Sequence, residues 1–430
     1  MKALIHANLF DFDTYAENQY LLYDDVIRAA GPMDAFPGAE EVIDCAGGMV
    51  LPGLVVGHAH IYSTFSRGWN TPFAPKDFKE LLEQLWWKLD AALDGEATYN
   101  SGLVSALAYA KNGVTTVIDH HASGAAICGT LEALKRAVVD EGGLRGIFCF
   151  ETSERFPLEQ CVEENVAFAK NHGKDHAGML GMHALMTLSD HSLAYIARNS
   201  GEIPIHIHVA ESVEDELQSL RESGRRIIPR LLDAGLLRSG SILAHGVNLD
   251  ADEIALLRGR NVQMALNPTS NMNNGVGLPD LHAFMKSSLR CILGNDGLGY
   301  NITHEMQNLV YCMHHRYGDP LAASFNTLKA VLRSTYDCAE RLLGCRLGRF
   351  APGYEADMLF VPYTPPTPLD AENVWGHFFY GMLDDFRPRD VWCKGQAVLT
   401  DYRPRLDEAA VCEAAREVAA HVWAQAKEKF

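Results

Sequence analysis

The sequence lacks every feature that would send it into a membrane, onto nucleic acid or out of the cell. None of its 430 positions belongs to an apolar run of about 18 residues, so no membrane-spanning helix is expected. The first residues, MKALIHANLFDFD, combine one lysine with a short apolar stretch and early aspartates, which is not the pattern of a secretory leader. The ten cysteines are scattered, with no C-x-x-C pair. That excludes a thiolate zinc site and a disulfide framework, and points to a cytoplasmic protein with reduced thiols. Basic residues are outnumbered, 37 against 55, and form no cluster. The net charge of −18 therefore excludes a nucleic-acid footprint and weighs against polyanionic substrates. There is no internal repeat and no low-complexity tract, and H-E-x-x-H, P-loop, G-x-S-x-G and P-C-x-x-C motifs are all missing.

What the chain does have is rhythm. Eight short apolar runs each end in a polar or ionisable residue: VLPGLVVGHAH, TTVIDHH, RGIFCFE, GMLGMHAL, PIHIHVAE, SILAHG, VQMALNP and RCILGND. Helix-like segments such as LEALKRAVVDEG and DADEIALLRGR lie between most of them. Continuous apolar strands alternating with helices predict buried parallel strands. Eight such units over about 250 residues predict an α/β fold, a (β/α)8 TIM barrel. Shorter strand-like pieces at both ends predict a small β-sandwich domain built from both termini. The expected division is 1–52 and 346–430 for that domain, the latter ending in a helix over 407–429, and 53–345 for the barrel.

Active sites of such barrels form at the C-terminal strand ends, and the polar residues above lie there. His58 and His60 are two apart in a strand, so both can face one metal. His208 ends the fifth run, and Glu211 follows three residues later, within reach of a substrate above it. Asp296 directly follows CILGN, where a buried carboxylate needs a cation beside it. His245 ends the sixth run; taken alone, such a histidine is ordinarily a core residue. Three histidines and an aspartate suit one divalent ion, zinc first and ferrous iron second, with room for water.

PGLVVGHAHIYSTFSRG, LWWKLDAALD, VIDHHAS, HVAES, AHG, NPTSNMNN, GNDG and AENVWGHFFYGM together resemble the amidohydrolase superfamily across nearly the whole chain. The resemblance is to its mononuclear deaminase branch, with the cytosine, guanine and S-adenosylhomocysteine deaminases and the triazine hydrolases, and is closer still to SsnA-type aminohydrolases. It implies His58, His60, His208 and Asp296 as metal ligands and Glu211 as the proton shuttle. It also implies that His245 orients the attacking hydroxide or polarises the reacting centre, that Asp296 accepts the proton from hydroxide and that His183 contacts the substrate. The implied reaction is hydrolytic deamination of a small, purine-like heterocycle with loss of ammonia.

Other positions stay open. His206 shares a face with His208 one pleat deeper and is expected behind the ligands. Between His120 and His121 the pattern does not choose; His121 is expected as a substrate-pocket residue, with Arg67. Asn271 is either a loop brace or a substrate contact. Trp86 and Trp87 are expected in the core or in the interface of a homo-oligomer, a dimer or larger. Ring opening of a cyclic amide is the competing reaction, but hydantoinase-like relatives bridge two metals with a strand-four lysine. GMLGMHAL has none, and Lys174 precedes it. A non-catalytic binding protein on the same fold is the remaining alternative.

Overall fold

The computed structural model describes residues 1–429. Near the N-terminus, β1 (Lys2–Phe10), β2 (Tyr15–Tyr23) and β3 (Ile27–Pro32) form an antiparallel meander, followed by β4 (Glu41–Asp44) and β5 (Met49–Pro52). The first half of β1 pairs with β4 and the second half with β5, both in parallel. The chain returns to this sheet at its other end with β15 (Met358–Val361), β16 (Asp390–Cys393), β17 (Gln396–Thr400) and β18 (Arg403–Pro404). Antiparallel pairing of β15 with β5 joins the two ends into one nine-stranded sheet.

Between them, each of the eight apolar runs forms a parallel strand. They are β6 (Leu54–Ala59), β7 (Val114–His121), β8 (Arg145–Phe150), β9 (His176–Gly178), β10 (Leu180–Met182), β11 (Ile205–Val209), β12 (Ile242–His245), β13 (Gln263–Leu266) and β14 (Arg290–Leu293). The fourth run is one strand broken at Met179 into β9 and β10. The break leaves two sheets, β6 to β9 and β10 to β14, wrapped in a barrel-like arrangement. Nearly every residue of these strands is buried, because helices cover one side and neighbouring strands the other.

The seam between β14 and β6 lacks a continuous ladder. A single bridge, Ala59 with Asp296, spans it, with bonds from Asn295 N and Asp296 N to the His58 carbonyl and from His60 N to the Asp296 carbonyl. Glycine makes this approach possible. A Cβ on Gly294 would stand 2.7 Å from the His58 carbonyl oxygen and 2.4 Å from Asn267 Oδ1. This close backbone approach lies directly under His58 and Asp296.

Two fastenings hold the terminal segments to the barrel. Arg145, fully buried at the start of β8, grips Asp357 through Nε and Glu355 through Nη2, at 2.8 and 2.7 Å. The C-terminal helix Glu408–Lys429 packs on helix Gly95–Lys111, and Trp423 Nε1 donates to the Phe65 carbonyl at 2.6 Å. No helix among the described residues is long and apolar enough to cross a membrane. Arg145→Met is expected to cost about 3–5 kcal/mol in chemical denaturation, because it strands two buried carboxylates. A loss below about 1 kcal/mol would show that this ion pair does not tie barrel to sheet.

Candidate active site

The C-terminal ends of β6, β11 and β14 bring His58, His60, His208 and Asp296 to one point. His60 Nε2 lies 3.1 Å from His208 Nε2 and 3.0 Å from Asp296 Oδ1. His58 Nε2 lies 3.2 Å from the same oxygen. The other ring nitrogens of two of these histidines are already committed: His60 Nδ1 donates to the His120 carbonyl and His208 Nδ1 to the His183 carbonyl, each at 2.7 Å. Those bonds place the protons on Nδ1 and turn both Nε2 lone pairs toward each other. Facing lone pairs at this range repel unless a proton or a cation sits between them. Donors around a tetrahedral zinc-type ion, with bonds of about 2.0–2.2 Å, stand about 3.3 Å apart, close to the His60–His208, His60–Asp296 and His58–Asp296 spacings.

The electrostatics agree. Burial pushes His58 down to about 4 and His208 well below the usual imidazole range, which leaves both neutral, as metal binding requires. Burial also works against charge on His60, but Asp296 outweighs it and holds that ring up at about 9. Without an ion, this is the proton that relieves the facing nitrogens. Burial alone would raise Asp296; the bonds from His58 and His60 keep its carboxyl well below the usual range.

Behind these four lies a supporting layer. His206 Nε2 is 2.8 Å from His58 Nδ1, one pleat below, in the place expected for it. Ser270 Oγ donates to Asp296 Oδ2 at 2.5 Å. Asn271 Oδ1 accepts from His245 Nδ1 at 2.8 Å and so braces that ring. His245 Nε2 is buried without a hydrogen-bond partner among the described residues. With His58, His208 and Asp296 it forms one set of donors within 4.8 Å of each other. Three strands end here in left-handed turns without glycine: Ala210 (φ 48°), His245 (φ 75°) and Asp296 (φ 53°). Each costs about 1–3 kcal/mol, a strain that concentrates where side chains must be aimed.

Glu211, directly after Ala210, is turned into the cleft. Its Oε2 stands 3.5 Å from His245 Nε2, and Asn274 Nδ2 approaches Oε1 at 3.4 Å. Burial raises its carboxyl above the usual range. The cleft above measures about 670 Å³ including its open mouth, and it is bounded by Tyr62, Trp86, Trp87, His183 and Met186. A buried acid beside a set of metal donors, at the mouth of a barrel, is the geometry of metal-assisted hydrolysis.

The family model described as "Amidohydrolase family" matches residues 49–398. The chain belongs to the amidohydrolase family. It is 29% identical over 369 residues to a 5-methylthioadenosine/S-adenosylhomocysteine deaminase of Desulforudis audaxviator, covering 82% of each chain. It is 27% identical over 440 residues to a 5'-deoxyadenosine deaminase of Methanoregula boonei, covering 94% of this chain and 95% of that one. Among solved structures, a zinc-bound adenosine deaminase from Xanthomonas campestris superposes with a TM-score of 0.83 at 20% identity over 98% of each chain. A zinc complex of the atrazine chlorohydrolase TrzN from Arthrobacter aurescens gives 0.77 at 19% identity, over 98% of this chain and all of the other.

Within this amidohydrolase, some expected pocket residues fall elsewhere. His183 does line the cleft, with Nδ1 3.0 Å from Thr187 Oγ1. His121 does not. It ends β7 with its ring turned outward, Nε2 3.0 Å from Ser123 Oγ and 3.3 Å from Thr98 Oγ1. Neighbouring strand residues face opposite sides, and it is His120 whose ring packs on His60 and His208. Arg67 is also corrected: it is exposed, lies 4.1 Å from the Tyr300 ring centre and donates to that hydroxyl, so it braces a loop outside the cleft. Trp86 and Trp87, expected in core or interface, are cleft walls. They sit where the helical segment from Phe78 to Asp90 opens into a π-turn at Leu82–Trp86, a distortion common at functional sites. The same segment brings Asp90 to the wall, a residue the strand-end pattern missed.

Proposed function

We propose that the chain is a hydrolytic deaminase that converts a purine-like aminoheterocycle, of the adenosine type, to its oxo product with release of ammonia. The observation that carries this reading is Glu211, a buried carboxyl whose proton affinity burial raises, held at the rim of the His58, His60, His208 and Asp296 cluster. One divalent ion, zinc first, is proposed at that cluster; when bound it lowers the pKa of water to about 7 and makes a nucleophile available at neutral pH. Glu211 carries the proton that goes to a ring nitrogen as water adds to the neighbouring carbon. Negative charge then never accumulates on the ring. Asp296 takes up the proton released by the attacking water, while Ser270 steadies its second oxygen. His245, fixed through Nδ1 by Asn271, presents Nε2 toward the attacked carbon and orients the water. His183, with Trp86 and Trp87, forms a wall against which a planar ring can lie.

The adenosine-type substrate is supported by the names of the relatives, and zinc by the structures of similar fold that hold it. Ring opening through two metals is disfavoured because Lys174 lies before β9, exposed, with Nζ 3.6 Å from Glu355. The proposed architecture is a closed (β/α)8 barrel over 53–345 with a β-sandwich from 1–52 and 346–430. Metal-loaded protein should release one ammonia per turnover from aminopurine nucleosides, with a mass gain of about one unit, the difference between oxygen and NH. A product heavier by one water, without ammonia, would establish ring opening instead.

A further inference from the structure

Glu151 follows β8 and has no part in the chemistry above, yet its carboxylate lies on the cleft wall. Oε1 accepts from Arg155 Nη2 at 2.9 Å; among the described residues nothing donates to Oε2. The same guanidinium holds Asp90 in a two-point fork at 3.2 and 2.6 Å. Its carbon lies 4.9 Å from the Trp87 ring centre and 4.7 Å from that of Phe156. Turning this fork toward a ligand anion would strand two buried carboxylates, so Arg155 is not free to receive one.

Arg155 is not itself among the residues lining the cleft. Asp90, Glu151, Glu211, Asp215 and Asp296 are, and no lysine or arginine joins them. One guanidinium shared by Asp90 and Glu151 leaves that part of the wall one negative charge in excess. The deaminase reading places the reacting ring at the metal cluster, so this wall faces the rest of the substrate.

We propose that Glu151 sets specificity for the substituent on the substrate. Its free oxygen accepts from a hydroxyl or an ammonium group there, and the wall turns away substituents carrying phosphate or a free carboxylate. An anion about 6 Å from an uncompensated charge, at an effective dielectric constant near 20, is disfavoured about a hundredfold.

This rests on the deaminase reading, and the test separates the two. Ammonia release by metal-loaded protein is measured with adenosine, 5'-amino-5'-deoxyadenosine and adenosine 5'-phosphate. Calorimetric binding of inosine and inosine 5'-phosphate gives the same comparison without turnover. The expected kcat/KM for the phosphate is about a hundredfold below that for adenosine, and the amine is used at least as well as adenosine. Glu151→Gln should remove most of the roughly hundredfold phosphate penalty and raise KM for adenosine, with kcat nearly unchanged; Glu151→Asp should keep the penalty. Equal handling of nucleoside and phosphate by the unmodified protein overturns the proposal, as does an unchanged ratio in Glu151→Gln. Absence of ammonia from every aminopurine overturns the deaminase reading instead, and the inosine comparison then decides this one.

Discussion

His208→Ala is expected to empty the metal site and to lower ammonia release by about 10³-fold or more, since the remaining donors cannot hold an ion that activates water. The basis is geometric. His208 Nε2 faces His60 Nε2 at 3.1 Å, and its Nδ1 is tied to the His183 carbonyl, so its lone pair has no other use. Metal content by mass spectrometry should fall from one ion per chain to a small fraction. His121→Asn serves as the control: that ring is bonded to Ser123 and Thr98, away from the cluster, so metal content should be unaffected. Full metal content and full activity in His208→Ala would remove His208 from the ligand set. Two ions bound tightly per chain would refute the mononuclear reading.

What the sequence disclosed about this site follows from one regularity. Parallel strands buried on both faces are continuous apolar runs, and a polar residue can end such a run only where the strand leaves the core. Hence His58, His60, His208, His245 and Asp296 could be placed at one rim from their neighbours alone, and all lie there. The regularity fails where phase matters. Every residue of β7 is buried, so apolar character does not tell which of His120 and His121 faces inward. It fails again for groups delivered by other elements. Trp86, Trp87 and Asp90 arrive on a helical segment whose π-turn has no apolar period to betray it. Arg67 illustrates the converse: it follows the H-x-H strand closely, but the short 3-10 helix Ile61–Ser66 carries it past the cleft to Tyr300. The break of the fourth strand at Met179 and the glycine-tight seam at Gly294 were likewise invisible, because both depend on how neighbouring backbones approach.

Glu211→Gln should leave the ion in place and lower kcat by about 10²–10⁴, the usual contribution of a positioned general acid–base group. The amide nearly matches the carboxyl in shape. It can keep a contact with Asn274 and fill the same space beside His245. It cannot give up a proton and take it back, and the reaction needs both: one proton for the ring nitrogen and one for the departing amine. Glu211 itself suits the task because it is buried and its carboxyl holds a proton more firmly than an exposed one would. Since the lost interaction belongs to the transition state, kcat and kcat/KM should fall together while KM changes little. Metal analysis beside the kinetics separates the possible roles. Loss of the ion along with activity would make Glu211 a ligand. An unchanged kcat with a full complement of metal would end its assignment as the proton carrier and move that role to another group at the rim, with His245 the first to examine because its Nε2 has no other partner among the described residues.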